Sequence, residues 1–172
     1  MHFYHGFALK DEEIFFEDYI DHSDFCISGF SYGAIKAFKA AQLATIRVDK
    51  LQLFSPAFFQ NSAPKFKRLQ LMGYKKNSAQ YIEKFTENCF LPYEAQLVHY
   101  AEHELSELDE LLNYEWQEQE LKTLVASGTT IEVYLGSDDN ISDAQSAYEF
   151  FLPFSTVTLI KGANHFLQGD NR

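Results

Sequence analysis

Short apolar runs alternate with amphipathic stretches along the chain, and the spacing of the apolar positions predicts the elements. Residues 2–5 (HFYH) suit the end of a short strand. Residues 11–20 (DEEIFFEDYI) place Ile14, Phe15 and Tyr19 among acids at helical spacing. Residues 24–28 (DFCIS) predict a strand running into Gly29. Residues 33–44 carry Ala34, Ile35, Phe38 and Ala41 on one side, as a helix packed on a core does. Residues 50–55 (KLQLFS) predict the next strand, stopped by Pro56. Residues 57–125 contain no convincing strand and suit helices near 64–71, 77–88, 92–112 and 114–126. A strand follows at 130–135, ended by Gly136. Ser142-Asp-Ala-Gln145 has capping-box spacing and opens a helix that stops before Pro153. The last strand is expected at 156–160.

Strands alternating with helices imply an α/β fold with a parallel sheet built from right-handed crossovers. Ligands bind such sheets beyond the carboxyl ends of the strands. Four loops therefore meet on one edge: 5–9, 29–33, 136–141 and 162–167. Residues 1–172 are expected as one domain, with 57–125 as a helical lid insertion.

Three of those loops carry residues suited to nucleophilic catalysis. Gly29-Phe30-Ser31-Tyr32-Gly33 is a G-x-S-x-G motif between a strand and a helix. Glycines on both sides of the serine permit a tight turn that lifts its hydroxyl above the sheet. The helix start behind it offers unpaired N–H groups to a developing oxyanion. A serine nucleophile needs a base, and the base needs an orienting acid. His165 follows the last strand, and Asp138 and Asp139 follow the strand before it.

In this order of Ser, Asp and His the chain resembles the α/β-hydrolases, from residue 3 to residue 168. The resemblance implies an acid three residues after a strand-ending glycine, which selects Asp139, with Asp138 as the alternative. His5-Gly6-Phe7-Ala8 resembles the HG loop of that family, which implies an oxyanion hole made by the backbone N–H groups of Phe7 and Tyr32. The departures imply a reduced sheet of about five strands, because HG begins at residue 5 and one helix separates it from the serine strand. Three segments, Ser28–Ala37, Leu51–Pro56 and Phe66–Leu71, are further similar to BioV-type pimeloyl-acyl-carrier-protein methyl ester esterases. That likeness implies hydrolysis of the methyl ester masking a pimeloyl chain in biotin synthesis. It also implies an acyl carrier protein as partner. An acyl thioesterase, a broad small-ester hydrolase and a non-catalytic hydrolase-like binding module are the alternatives.

Charge adds to this picture. The net charge of −11 argues against nucleic acid as the main partner. Residues 57–85 hold six basic residues and one acid, whereas residues 86–121 hold ten acids and no Lys or Arg. Lys65, Lys67, Arg68, Lys75 and Lys76 of the first segment are the expected contacts for an acidic carrier. Two cysteines, Cys26 and Cys89, are too few for a disulfide scaffold. The start of the chain lacks the layout of a signal peptide, and no run is long enough to span a membrane, so a cytoplasmic location is expected. His99-Tyr-Ala-Glu102-His103 fits the H-x-x-E-H zinc motif, in which two histidines share a helix face. The preferred reading is a solvated polar face on an acidic lid helix. No cofactor or metal is expected.

Overall fold

Alternate residues of a strand face opposite sides of its sheet, and here both sides carry a core. The structure is a computed structural model and describes residues 2–169. Its strands are β1 (His2–Tyr4), β2 (Leu9–Lys10), β3 (Cys26–Phe30), β4 (Lys50–Phe54), β5 (His99–Tyr100), β6 (Thr130–Gly136) and β7 (Thr156–Ile160). Five of them form one sheet in the order β1-β3-β4-β6-β7, with every neighbouring pair parallel. The helices are α1 (Tyr32–Leu43), α2 (Pro64–Lys76), α3 (Ser78–Phe90), α4 (Leu105–Asn113), α5 (Glu118–Ala126) and α6 (Ala144–Phe151). This is the parallel sheet with helical crossovers that the alternation predicts, with the five strands that the resemblance implies.

Leu51, Leu53, Ile131, Val133 and Leu135 share one core with Ile35 and Phe38 of α1, Leu121 and Leu124 of α5, and Phe151 of α6. Phe30 and Phe54, pointing the other way, join Phe16, Ile20 and Phe166 in a second core. There Phe16 stacks on Phe54 with ring centroids 4.9 Å apart. Both helices of the short crossovers, α1 and α6, lie on the first side, as a common handedness requires. The connection from β1 to β3 supplies Phe16 and Ile20 to the second.

Several expected elements change. Residues 11–20 form only a 3₁₀ helix, Glu12–Phe16, because Asp11 takes a left-handed φ of 62° and Glu12 turns inward. The expected helix at 92–112 begins only at Leu105, where Glu104 and Glu107 cap each other's backbone N–H groups. Upstream, β5 pairs antiparallel with β2, so the segment 57–125 does contain a strand. Asp143, and not Ser142, caps α6, accepting the Ser146 N–H at 3.0 Å. Among the described residues, no helix is long and apolar enough to cross a membrane. Cys26 and Cys89 are both free and buried.

Candidate active site

Ser31 sits where β3 hands over to α1, with φ 54° and ψ −111°. Such a backbone is costly for a residue with a Cβ and persists only where neighbours over-determine it. The flanking glycines show how. A Cβ on Gly29 would lie 2.2 Å from the Gly33 carbonyl oxygen, and one on Gly33 would lie 1.9 Å from that of Tyr4. The turn is thus pressed against the end of β1, and neither position has room for a side chain. The Ser31 N–H donates to Phe54 at 2.9 Å, which ties the turn to the end of β4.

His165 and Asp139 arrive from the ends of β7 and β6. The His165 Nε2 lies 3.0 Å from Ser31 Oγ, and its Nδ1 lies 2.6 Å from Asp139 Oδ2. The side chains of His165 and Asp139 are fully buried. The second Asp139 oxygen accepts the N–H groups of Ile141 at 2.7 Å and Ser142 at 3.0 Å. Both carboxylate oxygens are therefore satisfied and the side chain is locked. Asp138 is exposed and takes the Ser137 hydroxyl instead, so it does not reach His165. Gly136 lets the two loops meet, since a Cβ there would lie 2.3 Å from the Ala163 carbonyl oxygen. A buried chain of Ser, imidazole and carboxylate can move the serine proton to the imidazole while the acid holds its tautomer.

The expected oxyanion amides are those of Tyr32 and Phe7. Tyr32 is the first residue of α1, so its N–H has no partner within the helix. Among the described residues, no hydrogen bond takes the Phe7 N–H. Phe7 follows β1, the sheet neighbour of β3, in which Tyr4 pairs with Gly29.

The helical segment 57–125 closes over this edge. The Phe7 ring packs against Tyr74, Phe85 and His103. Tyr93 donates to the Gly162 carbonyl at 2.5 Å, and Asn164 donates to that of Phe90 at 2.8 Å. Ser31 is only 4% exposed beneath it. A cavity of about 170 Å³, lined by Phe59, Tyr81, Phe85, Leu108, Leu112 and Ile141, lies between these helices and the loop carrying Asp139. Lys65, Lys67, Arg68, Lys75 and Lys76 all fall on α2, and among the described residues none pairs with a carboxylate.

The H-x-x-E-H pattern lies on no helix, which corrects both readings of it. His99 is in β5 beside Asp11 at 3.1 Å, and His103 lies beyond the strand with its Nδ1 2.7 Å from the Tyr74 hydroxyl. Among the described residues, one cluster could hold a metal: His5, Glu12 and Glu13.

Three supporting residues escape sequence reasoning. Asn164 accepts from the N–H groups of Phe166 and Gln168, both at 3.0 Å, and so fixes the loop around His165. Glu12 accepts the Gly6 N–H and Glu110 accepts the Tyr32 hydroxyl, each from another element. Only the Gly-Ala-Asn-His sequence gave a local signal, in an asparagine beside the candidate base.

The sequence matches no family model and no curated protein. Solved structures do match. BioG from Haemophilus influenzae is 11% identical and superposes with TM-score 0.57 over 96% of this chain and 87% of its own. The naproxen esterase of Bacillus subtilis is 18% identical, with TM-score 0.55 over 83% of this chain and 53% of its own. The carboxylesterase CesB of Bacillus subtilis is 18% identical, with TM-score 0.52 over 90% of this chain and 57% of its own. The chain thus spans little more than half the length of these two carboxylesterases. At such identities the likeness speaks for the backbone: the chain has a reduced α/β-hydrolase fold.

Proposed function

We propose that the protein is a serine carboxylesterase that hydrolyses the methyl ester of a pimeloyl chain carried by an acyl carrier protein. The observation that carries the hydrolase reading is the buried contact chain from Ser31 through His165 to Asp139. Ser31 Oγ attacks the ester carbonyl while His165 takes its proton. The N–H groups of Phe7 and Tyr32 hold the oxyanion. His165 returns the proton to the departing methanol, and water then cleaves the acyl-enzyme by the same route. The structural neighbours cited above are carboxylesterases by name, which agrees with this chemistry.

The substrate assignment draws on the BioV-type likeness and on charge. Five cations on α2 suit an acidic carrier, and the lid cavity is lined mainly by apolar side chains, with Gln70, Lys84, Asn88 and Asn140 among them, which suits an acyl chain with a polar end. Exposed pairs of this kind contribute about 0.2–1 kcal/mol each, so they serve encounter more than affinity. The test is incubation with methyl pimeloyl carrier protein, following loss of the methyl group by mass. A second assay on a small methyl ester runs beside it. Changing Lys65, Lys67 and Arg68 together to Glu is expected to slow only the carrier-linked reaction. Equal rates for a folded triple variant on both substrates would remove the carrier. The small lid cavity favours a second reading, a small-ester hydrolase, and that outcome would select it.

A further inference from the structure

Glu12 has a fully buried side chain, yet it touches no member of the Ser31–His165–Asp139 chain. A buried carboxylate is costly unless its oxygens are bonded. One oxygen accepts the Gly6 N–H at 2.6 Å, and the other lies 2.9 Å from His5 Nδ1. Both are thus committed to the two residues that precede Phe7.

That short loop needs holding. Ala8 and Asp11 both adopt left-handed φ values, 60° and 62°, without being glycine. Residues in this region keep their conformation only when the surroundings impose it. The Leu9 N–H closes a turn onto the Gly6 carbonyl at 3.2 Å, with Phe7 and Ala8 at its centre. On the lid side, the Phe7 ring is committed to Tyr74, Phe85 and His103, and the Ala8 carbonyl accepts the Ala101 N–H at 2.9 Å. The Phe7 side chain is therefore spoken for, and only its backbone faces other work. On the sheet side, the loop abuts the serine turn: a Cβ on Gly33 would lie 2.6 Å from the His5 carbonyl oxygen.

We infer that Glu12 is a positioning residue for the oxyanion hole, clamping His5 and Gly6 so that the Phe7 N–H keeps its place beside the Ser31 turn. This rests on the esterase reading above. The groups facing His5 are Glu12, Glu13 with a carboxylate oxygen at 3.7 Å, Asp11, and the Phe3 ring with its centroid at 5.5 Å. Glu12 holds His5 above its ordinary range, against the opposing effect of burial.

The test compares Glu12→Ala and Glu12→Gln with Glu13→Gln on a small chromogenic ester. It also measures affinity for a trifluoromethyl ketone, whose serine adduct carries the oxyanion. Glu12→Ala is expected to lower kcat about 10–100-fold with KM nearly unchanged, and to weaken the ketone by a similar factor. Glu12→Gln loses less, because its amide oxygen still accepts the Gly6 N–H. Glu13→Gln stays near wild type. Folding is checked by circular dichroism, and if Glu12→Ala does not fold, Glu12→Gln decides by the same two constants. Wild-type kcat and ketone affinity in the folded Glu12 variants, or a loss confined to KM, overturns the clamp. Failure of the esterase reading is separate: it appears as an unmodified Ser31 after treatment of the wild type with an activated phosphonate.

Discussion

The Tyr32 hydroxyl donates to a Glu110 carboxylate oxygen at 2.5 Å. One residue follows Ser31, and the other lies 78 positions on, in α4. Glu110 also pairs with Lys39, and Glu107 pairs with Lys36 at 3.0 Å. Both lysines belong to α1, so α4 is fastened to the helix that begins at the serine turn. Burial opposes the Glu110 charge, but Lys39 and the Tyr32 hydroxyl outweigh it and hold its carboxyl below the usual range. Burial first, and Glu110 next, push the Tyr32 phenol up.

The fastening is asymmetric in energy. Glu110→Ala leaves a buried hydroxyl without a partner, at a cost of about 1–3 kcal/mol. Tyr32→Phe removes that hydroxyl and leaves Glu110 with Lys39 and water, so it costs less. Urea denaturation of the two variants is expected to rank them in that order. The reverse order would show that the hydroxyl has no need of Glu110.

Asp139→Asn is expected to lower kcat about 10³–10⁴-fold, since an amide cannot hold the imidazole tautomer. Asp138→Asn costs far less, because Asp138 is exposed and bonds Ser137. Steady-state kinetics of the two single variants check this. A larger loss from Asp138→Asn would reassign the acid.

His5 gives stability a pH dependence of known sign. Its folded pKa lies above the ordinary 6.5. The contribution is therefore complete below about pH 6.5 and fades as pH rises through the folded value. Comparing the unfolding free energy of wild type with that of His5→Asn, the gap is expected to shrink as pH rises from 6 to 9. A gap that widens across that range would contradict the pairing. The effect is small, because the side chain is 38% exposed.

Activity is expected to survive a strong metal chelator, and His99→Ala is expected to be nearly silent. His99 is half exposed beside Asp11, outside the serine turn and away from His103 on any helix face. Chelator-sensitive hydrolysis, restored by zinc, would give the pattern a function.

The sheet was legible because its strands are apolar runs ended by Gly or Pro, and alternation of residues such as Leu51, Gln52 and Leu53 marks their two faces. Ser31, Asp139 and His165 could be placed together because a parallel sheet gathers the ends of its strands. What stayed hidden depends on distant contacts. The β2–β5 pair is two residues long, and only the fold brings Leu9 to Tyr100. Glu12 looks like any acid in DEEIFFEDYI, and its burial depends on the loop at Gly6. Nothing local links Tyr32 to Glu110. The H-x-x-E-H spacing suggested a helix that Glu104 starts too late to include.

The most direct test of the central claim is the turnover of Ser31→Ala on a small methyl ester. The change removes one oxygen from a nearly closed site, so the fold is expected to remain by circular dichroism. A fall in kcat of about 10⁴–10⁶-fold is expected, with His165→Ala falling almost as far and the double variant no further. A folded Ser31→Ala protein that hydrolyses the ester near the wild-type rate would contradict that claim.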